Sequence, residues 1–239
     1  MLSGEKDMMS DQMKGVEIRI RRVGEGEFTG LEVEPDSAST GWLFLLHGYG
    51  GSKEEMLPLS IFLAGKGIPV LAADLPGHGE SGGLFDYESA MRCLTYWQGL
   101  KRNNFVAAIG HSIGGRLVLS LNIFWNVLIS PPLSAGFAGG KKEMIRVLRP
   151  RRVREAAPFA GLVETLNRLG EDLPADPDKK GLLLFGQYDL PVVKKTAEAA
   201  PPGNYTVKEI KDSGHHDILT SRETWGVIWS WLAEQVAHG

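Results

Sequence analysis

Along the chain, apolar residues alternate with polar ones first and then run continuously. Val16, Ile18 and Ile20 take every second position up to Arg22, which predicts a half-buried strand. Gly24 and Gly26 mark a turn, and Phe28 to Glu34 reads as a second strand, so the pair predicts an antiparallel hairpin at a sheet edge. The pattern then changes. Trp42-Leu43-Phe44-Leu45-Leu46 is unbroken apolar sequence, as expected of a parallel strand covered on both faces. Another buried strand is predicted at Ile68 to Asp74, and further strands at Phe105 to Ile109, Trp125 to Ile129, Leu182 to Phe185 and Tyr205 to Ile210. Between them, helical spacing predicts helices from about Lys53 to Gly65, Glu88 to Lys101, through Leu117 to Leu121, and Val192 to Ala200. A last helix, about Ser221 to Ala237, would bury Trp225, Ile228, Trp229 and Leu232, with Asp217 capping it.

Eight strands, six of them alternating with helices from residue 42 onward, predict an α/β fold: a mostly parallel eight-stranded sheet with helices on both faces and right-handed crossovers. In such sheets, function sits beyond the carboxyl ends of the strands. Residues 1–14 read as a flexible tail without the apolar stretch of a signal peptide, and residues 15–239 as one domain. The rhythm breaks at about 133–178, a short insertion rich in Arg, Lys, Ala, Gly and Pro that reads as a cap, helical in part.

Composition narrows the function classes. With 239 residues and 43% hydrophobic positions, the chain can bury a full core. A formal net charge of -3 is too mild to suggest nucleic acid as a partner. Apolar runs fall far short of the roughly 20 residues a membrane helix needs, so no integral membrane contact is expected. The lone Cys93 excludes an internal disulfide and fits a cytoplasmic location.

The chemistry gathers at strand ends. Gly110-His111-Ser112-Ile113-Gly114 matches G-x-S-x-G between a predicted strand and a predicted helix. A sharp strand-to-helix turn holds such a serine in a strained conformation and needs small neighbours, which Gly110, Gly114 and Gly115 supply. The bland alternative is a glycine-rich turn with a helix-capping serine. A serine hydroxyl needs a base to become a nucleophile. Asp189 follows the strand ending at Phe185, and His215 and His216 follow the strand ending at Ile210, giving the chain order Ser, Asp, His. Ser112, Asp189 and His215 are thus the expected catalytic residues, with His216 as a competing base. An oxyanion would be met by the backbone N–H of Ile113 and by one from the His47-Gly48-Tyr49-Gly50 loop, for which Tyr49 is chosen. That loop has neither the G-x-x-x-x-G-K-[ST] nor the G-x-G-x-x-G pattern of nucleotide sites. No cofactor and no metal are expected; adjacent histidines seldom converge on one ion.

These motifs, with Asp74-Leu75-Pro76-Gly77-His78-Gly79-Glu80-Ser81, Gly186-Gln187-Tyr188-Asp189 and Ser213-Gly214-His215, make residues 16–237 resemble the α/β-hydrolase superfamily, in particular small esterases related to monoacylglycerol lipases and serine aminopeptidases. The resemblance implies a serine hydrolase acting on a small-molecule ester or thioester through an acyl-enzyme. It favours His215 over His216, because the base usually follows glycine directly, and treats Asp74–Ser81 as a structural loop bordering the site. Carbon–carbon bond hydrolysis or a lyase reaction on a small carboxylate by the same triad, and a non-catalytic binding module, stay as alternatives. Two departures from the family pattern stand out. Only about a dozen residues separate Ser112 from the next strand, so either the helix between them is short or that strand begins later. The short insertion implies a small cap and an open site. Within it, Lys141, Lys142, Arg146, Arg149, Arg151, Arg152 and Arg154 form a basic segment. It reads either as a solvated face or as an attractor for an anionic substrate.

Overall fold

A computed structural model describes residues 16–37, 41–101, 104–132, 154–170, 173, 179–200 and 204–238. Eight strands form a single sheet in the order β1-β2-β4-β3-β5-β6-β7-β8. They are β1 (Ile18–Val23), β2 (Gly30–Pro35), β3 (Trp42–Leu46), β4 (Val70–Ala73), β5 (Phe105–His111), β6 (Trp125–Ile129), β7 (Lys180–Gly186) and β8 (Tyr205–Ile210). β2 pairs antiparallel with both β1 and β4, and every other pair is parallel. The predicted edge hairpin is therefore present, turned by Gly24 and Gly26 at positive φ.

Six α-helices are described: α1 (Lys53–Ala64), α2 (Tyr87–Leu100), α3 (Ile113–Leu117), α4 (Phe159–Leu169), α5 (Pro191–Glu198) and α6 (Arg222–His238). Strand side chains alternate between faces, and the core divides accordingly. Leu43, Leu45, Ala107, Ile109, Val127 and Ile129 join Met56, Leu59 and Leu63 of α1 and Ile228 and Leu232 of α6. Phe44, Leu46, Ala108 and Leu128 face the other way, onto Leu94 and Trp97 of α2, Leu117 of α3 and Leu162 and Leu166 of α4. Both layers are apolar, which is why the central strands lack a polar alternation.

Several boundaries differ from expectation for local reasons. β5 runs two residues further, through Gly110 and His111, because β3 and β6 pair with it on both sides up to Leu46↔Gly110 and His111↔Ile129. α2 starts at Tyr87, since Asp86 and Ser89 form a reciprocal capping box. The stretch expected to be helical through Leu121 ends its α-helix at Leu117 and tightens into a 3-10 turn over Val118–Ser120. Leu121 is already extended, as the short path to β6 requires. Asp217 does not cap α6: it opens a 3-10 turn, Asp217–Thr220, and accepts the Gly214 N–H at 3.1 Å. α6 begins five residues later and buries Trp231 along with Ile228 and Leu232, while Trp225 and Trp229 are only half-buried.

Part of the expected cap lies on α4, a helix with one strongly apolar side. Residues 1–14 and most of 133–178, including every basic residue from Lys141 to Arg152, lie outside the described residues. Arg154 is described and exposed.

Candidate active site

The C-terminal end of β5 meets α3 in a turn with no slack. Ser112 sits there at φ 53°, ψ -121°, a region that non-glycine residues seldom occupy. Its N–H bonds the Ile129 carbonyl at 2.8 Å, and its own carbonyl accepts from Gly115 N–H at 3.0 Å, so the next turn is already helical. A Cβ on Gly110 would lie 2.3 Å from the Gly114 carbonyl, and one on Gly114 2.5 Å from the carbonyls of Leu46 and His47. Strand, helix and the neighbouring β3 end are thus close enough that only glycine fits at 110 and 114. The turn lifts the half-buried Ser112 side chain off the sheet.

The loops after β7 and β8 are laced together and bring two more side chains to that point. Gln187 N–H bonds the Ile210 carbonyl and Tyr188 N–H the Ser213 carbonyl, both at 2.9 Å. Gly186 permits this closeness, since a Cβ there would meet the Ser213 carbonyl at 2.3 Å. As a result, His215 Nε2 lies 3.1 Å from Ser112 Oγ and His215 Nδ1 lies 2.8 Å from Asp189 Oδ1. The carboxylate can only accept, so Nδ1 carries the proton and Nε2 presents its lone pair to the hydroxyl. Ser112, His215 and Asp189, far apart in sequence, are brought into one hydrogen-bonded line. His216 is exposed, packs edge-on against His215 with ring centroids 5.3 Å apart, and has no hydrogen bond to Ser112 or Asp189.

Asp189 is buried. Burial by itself would raise its carboxyl pKa, but the His215 hydrogen bond and charge, the Ser130 hydroxyl and the Leu190 N–H outweigh it and hold the pKa below the ordinary value. Ser130 Oγ lies 2.5 Å from Asp189 Oδ2. His111, fully enclosed beneath the turn, donates its Nε2–H to the His215 backbone carbonyl at 2.7 Å. Burial first, then the neighbouring His215, push the His111 pKa well below 6.5, so it is neutral. Neither Ser130 nor His111 stood out in the sequence as more than a strand-end residue and a variable position of the motif.

The loop after β3 abuts the same point. A Cβ on Gly48 would come within 3.1 Å of Ser112 Cβ and 2.7 Å of His111 Nδ1. The loop is pinned from behind. Buried His47 donates Nδ1–H to the Gly48 carbonyl at 2.7 Å and accepts the Leu75 N–H at Nε2 at 3.0 Å. Asp74, fully buried, accepts from Lys53 N–H and Lys53 Nζ, both at 2.7 Å, and from Glu80 N–H at 2.9 Å. The Lys53 ammonium, also fully buried, reaches Glu80 at 2.8 Å as well, so its charge is matched. This ties the Asp74–Ser81 loop to the start of α1. Tyr49 donates its hydroxyl to the Ala157 carbonyl at 2.6 Å and packs against His78 and Phe85. Ile113, the first residue of α3, is buried directly after Ser112.

The assembly can pass a proton from a hydroxyl to an imidazole whose far nitrogen is anchored on a carboxylate. Among the described residues, no group of three or more His, Cys, Asp or Glu side chains could hold a metal ion, and no helix is long and apolar enough to cross a membrane.

A family model described as "Alpha/beta hydrolase family" matches residues 43–231. Among curated proteins, the chain is similar to the dihydrolipoyllysine-residue acetyltransferase component of an acetoin cleaving system from Cupriavidus necator, with 25% identity over 263 residues, 89% of this chain and 66% of that protein. It is also similar to a 2-succinyl-6-hydroxy-2,4-cyclohexadiene-1-carboxylate synthase from Pectobacterium atrosepticum, with 37% identity over 83 residues, 33% of this chain and 31% of that protein. The chain spans less than two thirds of the length of either relative. Among solved structures, the monoacylglycerol lipase of Paleococcus ferrophilus shares the fold, with a TM-score of 0.61 at 20% identity over 91% of this chain and 99% of that one.

Proposed function

The chain belongs to the alpha/beta hydrolase family, and from that premise we propose that it is a serine hydrolase cleaving a carboxylic ester or thioester through an acyl-enzyme. The observation that carries the reading is the line Ser112 Oγ, His215 Nε2, His215 Nδ1, Asp189 Oδ1, with hydrogen bonds of 3.1 and 2.8 Å. In this reading the Ser112 hydroxyl attacks the substrate carbonyl as His215 Nε2 takes its proton. Asp189 stays ionised, holds the productive tautomer and stabilises the imidazolium. Charge on the former carbonyl oxygen is met by the backbone N–H groups of Ile113 and Tyr49. His215 then protonates the leaving group, and water, deprotonated by the same nitrogen, releases the acyl group and restores Ser112. The lone cysteine, Cys93, is buried and its pKa is pushed up to about 12 by burial, which suits a structural thiol and leaves Ser112 as the nucleophile. The substrate is a small molecule and the location cytoplasmic.

A second reading, a lyase-type or carbon–carbon cleavage reaction on a small carboxylate by the same three residues, is favoured by the 37% identity over 83 residues to the cyclohexadiene carboxylate synthase. Turnover of short- and long-chain p-nitrophenyl esters and of acyl-CoA separates the two, with Ser112→Ala as control. The ester reading expects turnover abolished by Ser112→Ala and labelling of Ser112 by a fluorophosphonate probe. Labelling without any ester turnover would move the assignment to the lyase reading. Neither labelling nor turnover would leave a binding module.

A further inference from the structure

Three non-glycine residues among those described have positive φ: Ser112, Ser130 and Asp212. Ser112 is the nucleophile of the proposed reaction and Asp212 lies in the loop that carries His215. Ser130, the residue directly after β6, remains to be explained. Its φ is 51°, a conformation that glycine would adopt at less cost, and it is fully buried. Strained backbone at such a position persists when the surrounding contacts over-determine it, and it points to a use for the side chain.

The contacts are specific. Ser130 N–H bonds the Leu184 carbonyl of β7 at 2.7 Å, which fixes the backbone. The side chain then reaches Asp189, with Oγ 2.5 Å from Oδ2. An ionised carboxylate only accepts, so the hydroxyl donates. Asp189 thereby has two donors on each oxygen. Oδ1 takes His215 Nδ1–H at 2.8 Å and Leu190 N–H at 2.8 Å; Oδ2 takes Ser130 Oγ–H and Gly186 N–H, the latter at 3.2 Å. Without the hydroxyl, Oδ2 would keep only the long backbone bond, and the carboxylate could turn about its bond to Cβ.

We propose that Ser130 is a positioning residue of the hydrolytic site: its hydroxyl locks the Asp189 carboxylate so that Oδ1 faces His215 Nδ1. It acts on the reaction only through Asp189 and touches no substrate. The proposal rests on the serine hydrolase reading given above. A glycine at 130 would keep the backbone turn and lose the hydroxyl; alanine would lose the hydroxyl and keep the strain. That pair separates the two things serine does there.

The test measures kcat and KM on p-nitrophenyl acetate for wild type, Ser130→Ala, Ser130→Gly, Asp189→Asn and the double variant Ser130→Ala/Asp189→Asn. It adds the downfield proton resonance of His215 Nδ1–H. Losing a charge-assisted hydrogen bond should lower kcat roughly tenfold in both single variants at 130, with KM within about twofold. In the Asp189→Asn background the Ser130→Ala loss should vanish, because the two side chains act as one unit. The His215 resonance should shift in both Ser130 variants. A kcat within twofold of wild type, full activity in Ser130→Gly alone, or an unmoved resonance would each overturn the assignment. Failure of the underlying reading shows differently: Ser112→Ala would then retain turnover. The resonance needs no turnover, so it tests the Ser130 contact in either case.

Discussion

Replacing Gly110 with alanine removes no functional group and adds one methyl at the most crowded point of the site. The new Cβ would sit 2.3 Å from both the carbonyl carbon and oxygen of Gly114 and 2.5 Å from Gly115 N. Ordinary contact begins near 3.4 Å, so α3 must move from β5 by about 1 Å, and every crowding atom is backbone that no rotamer change can relieve. Ser112 lies between the two. A shift of that size breaks the 3.1 Å Ser112–His215 hydrogen bond, and a misplacement of about 1 Å costs on the order of a hundredfold in rate. Overpacking of this kind also destabilises by about 1–3 kcal/mol. At this chain length each kcal/mol lowers Tm by roughly 2–4 °C. The assay is kcat/KM on p-nitrophenyl acetate with the rate of fluorophosphonate labelling, alongside calorimetric Tm. Gly99→Ala is the control. Gly99 lies in α2, and a methyl added there would meet nothing within 4 Å, so that change should leave activity alone and stabilise by about 0.5–1 kcal/mol. Activity of Gly110→Ala within threefold of wild type, at unchanged Tm, would refute the steric account of the elbow.

Three further outcomes follow from the same geometry. His215→Ala should lose roughly a thousandfold or more in kcat/KM, whereas His216→Ala, which removes no bond to Ser112 or Asp189, should stay within about threefold; the reverse order would reassign the base. His111→Phe should lower kcat roughly tenfold by removing the N–H that holds the His215 carbonyl, and His111→Gln, which keeps an N–H, should recover part of it; equal activity of Phe and Gln would show that only ring volume matters. Stability should fall with acid. Burial, the largest cause in each case, lowers His47, brings His78 down to about 3 and holds His111 well below 6.5. These folded values lie below the unfolded value of about 6.5, so the unfolded chain binds more protons; stability is complete above about pH 6.5 and is lost as pH falls toward the folded values. For His78 the loss between pH 7 and pH 5 is about 2 kcal/mol, and the other two add in the same direction. A urea midpoint that does not drop between those pH values would contradict this.

The strands most legible in the sequence were those covered on both faces. Trp42–Leu46 and Trp125–Ile129 keep the bounds that their mostly apolar runs predict, because helices layered above and below favour apolar side chains on both faces. Tyr205–Ile210 also matches, bounded by turn residues. Where partners set the limits, local pattern fell short. β5 gains Gly110 and His111 only because β3 and β6 continue beside it, and the end of α3 is set by the distance to β6. Asp217 looked like a helix cap but serves the Gly214 turn instead, a choice between two nearby N–H groups that sequence spacing does not rank.

The chain by itself determined the alternation of strands and helices and the chemical types at the strand ends: a serine between glycines, an aspartate and a histidine in that order. Those follow from short-range rules of periodicity and turn sterics. Only the tertiary structure decided which of two adjacent imidazoles reaches the serine, that Ser130 saturates the aspartate, that His111 holds the base loop, and that buried Lys53 and Asp74 brace the loop beneath Ser112. These contacts join residues tens of positions apart, through strand order and loop crossings. A hydrogen bond has a reach of about 3 Å, and no pattern along the chain specifies a distance that small between segments so far separated.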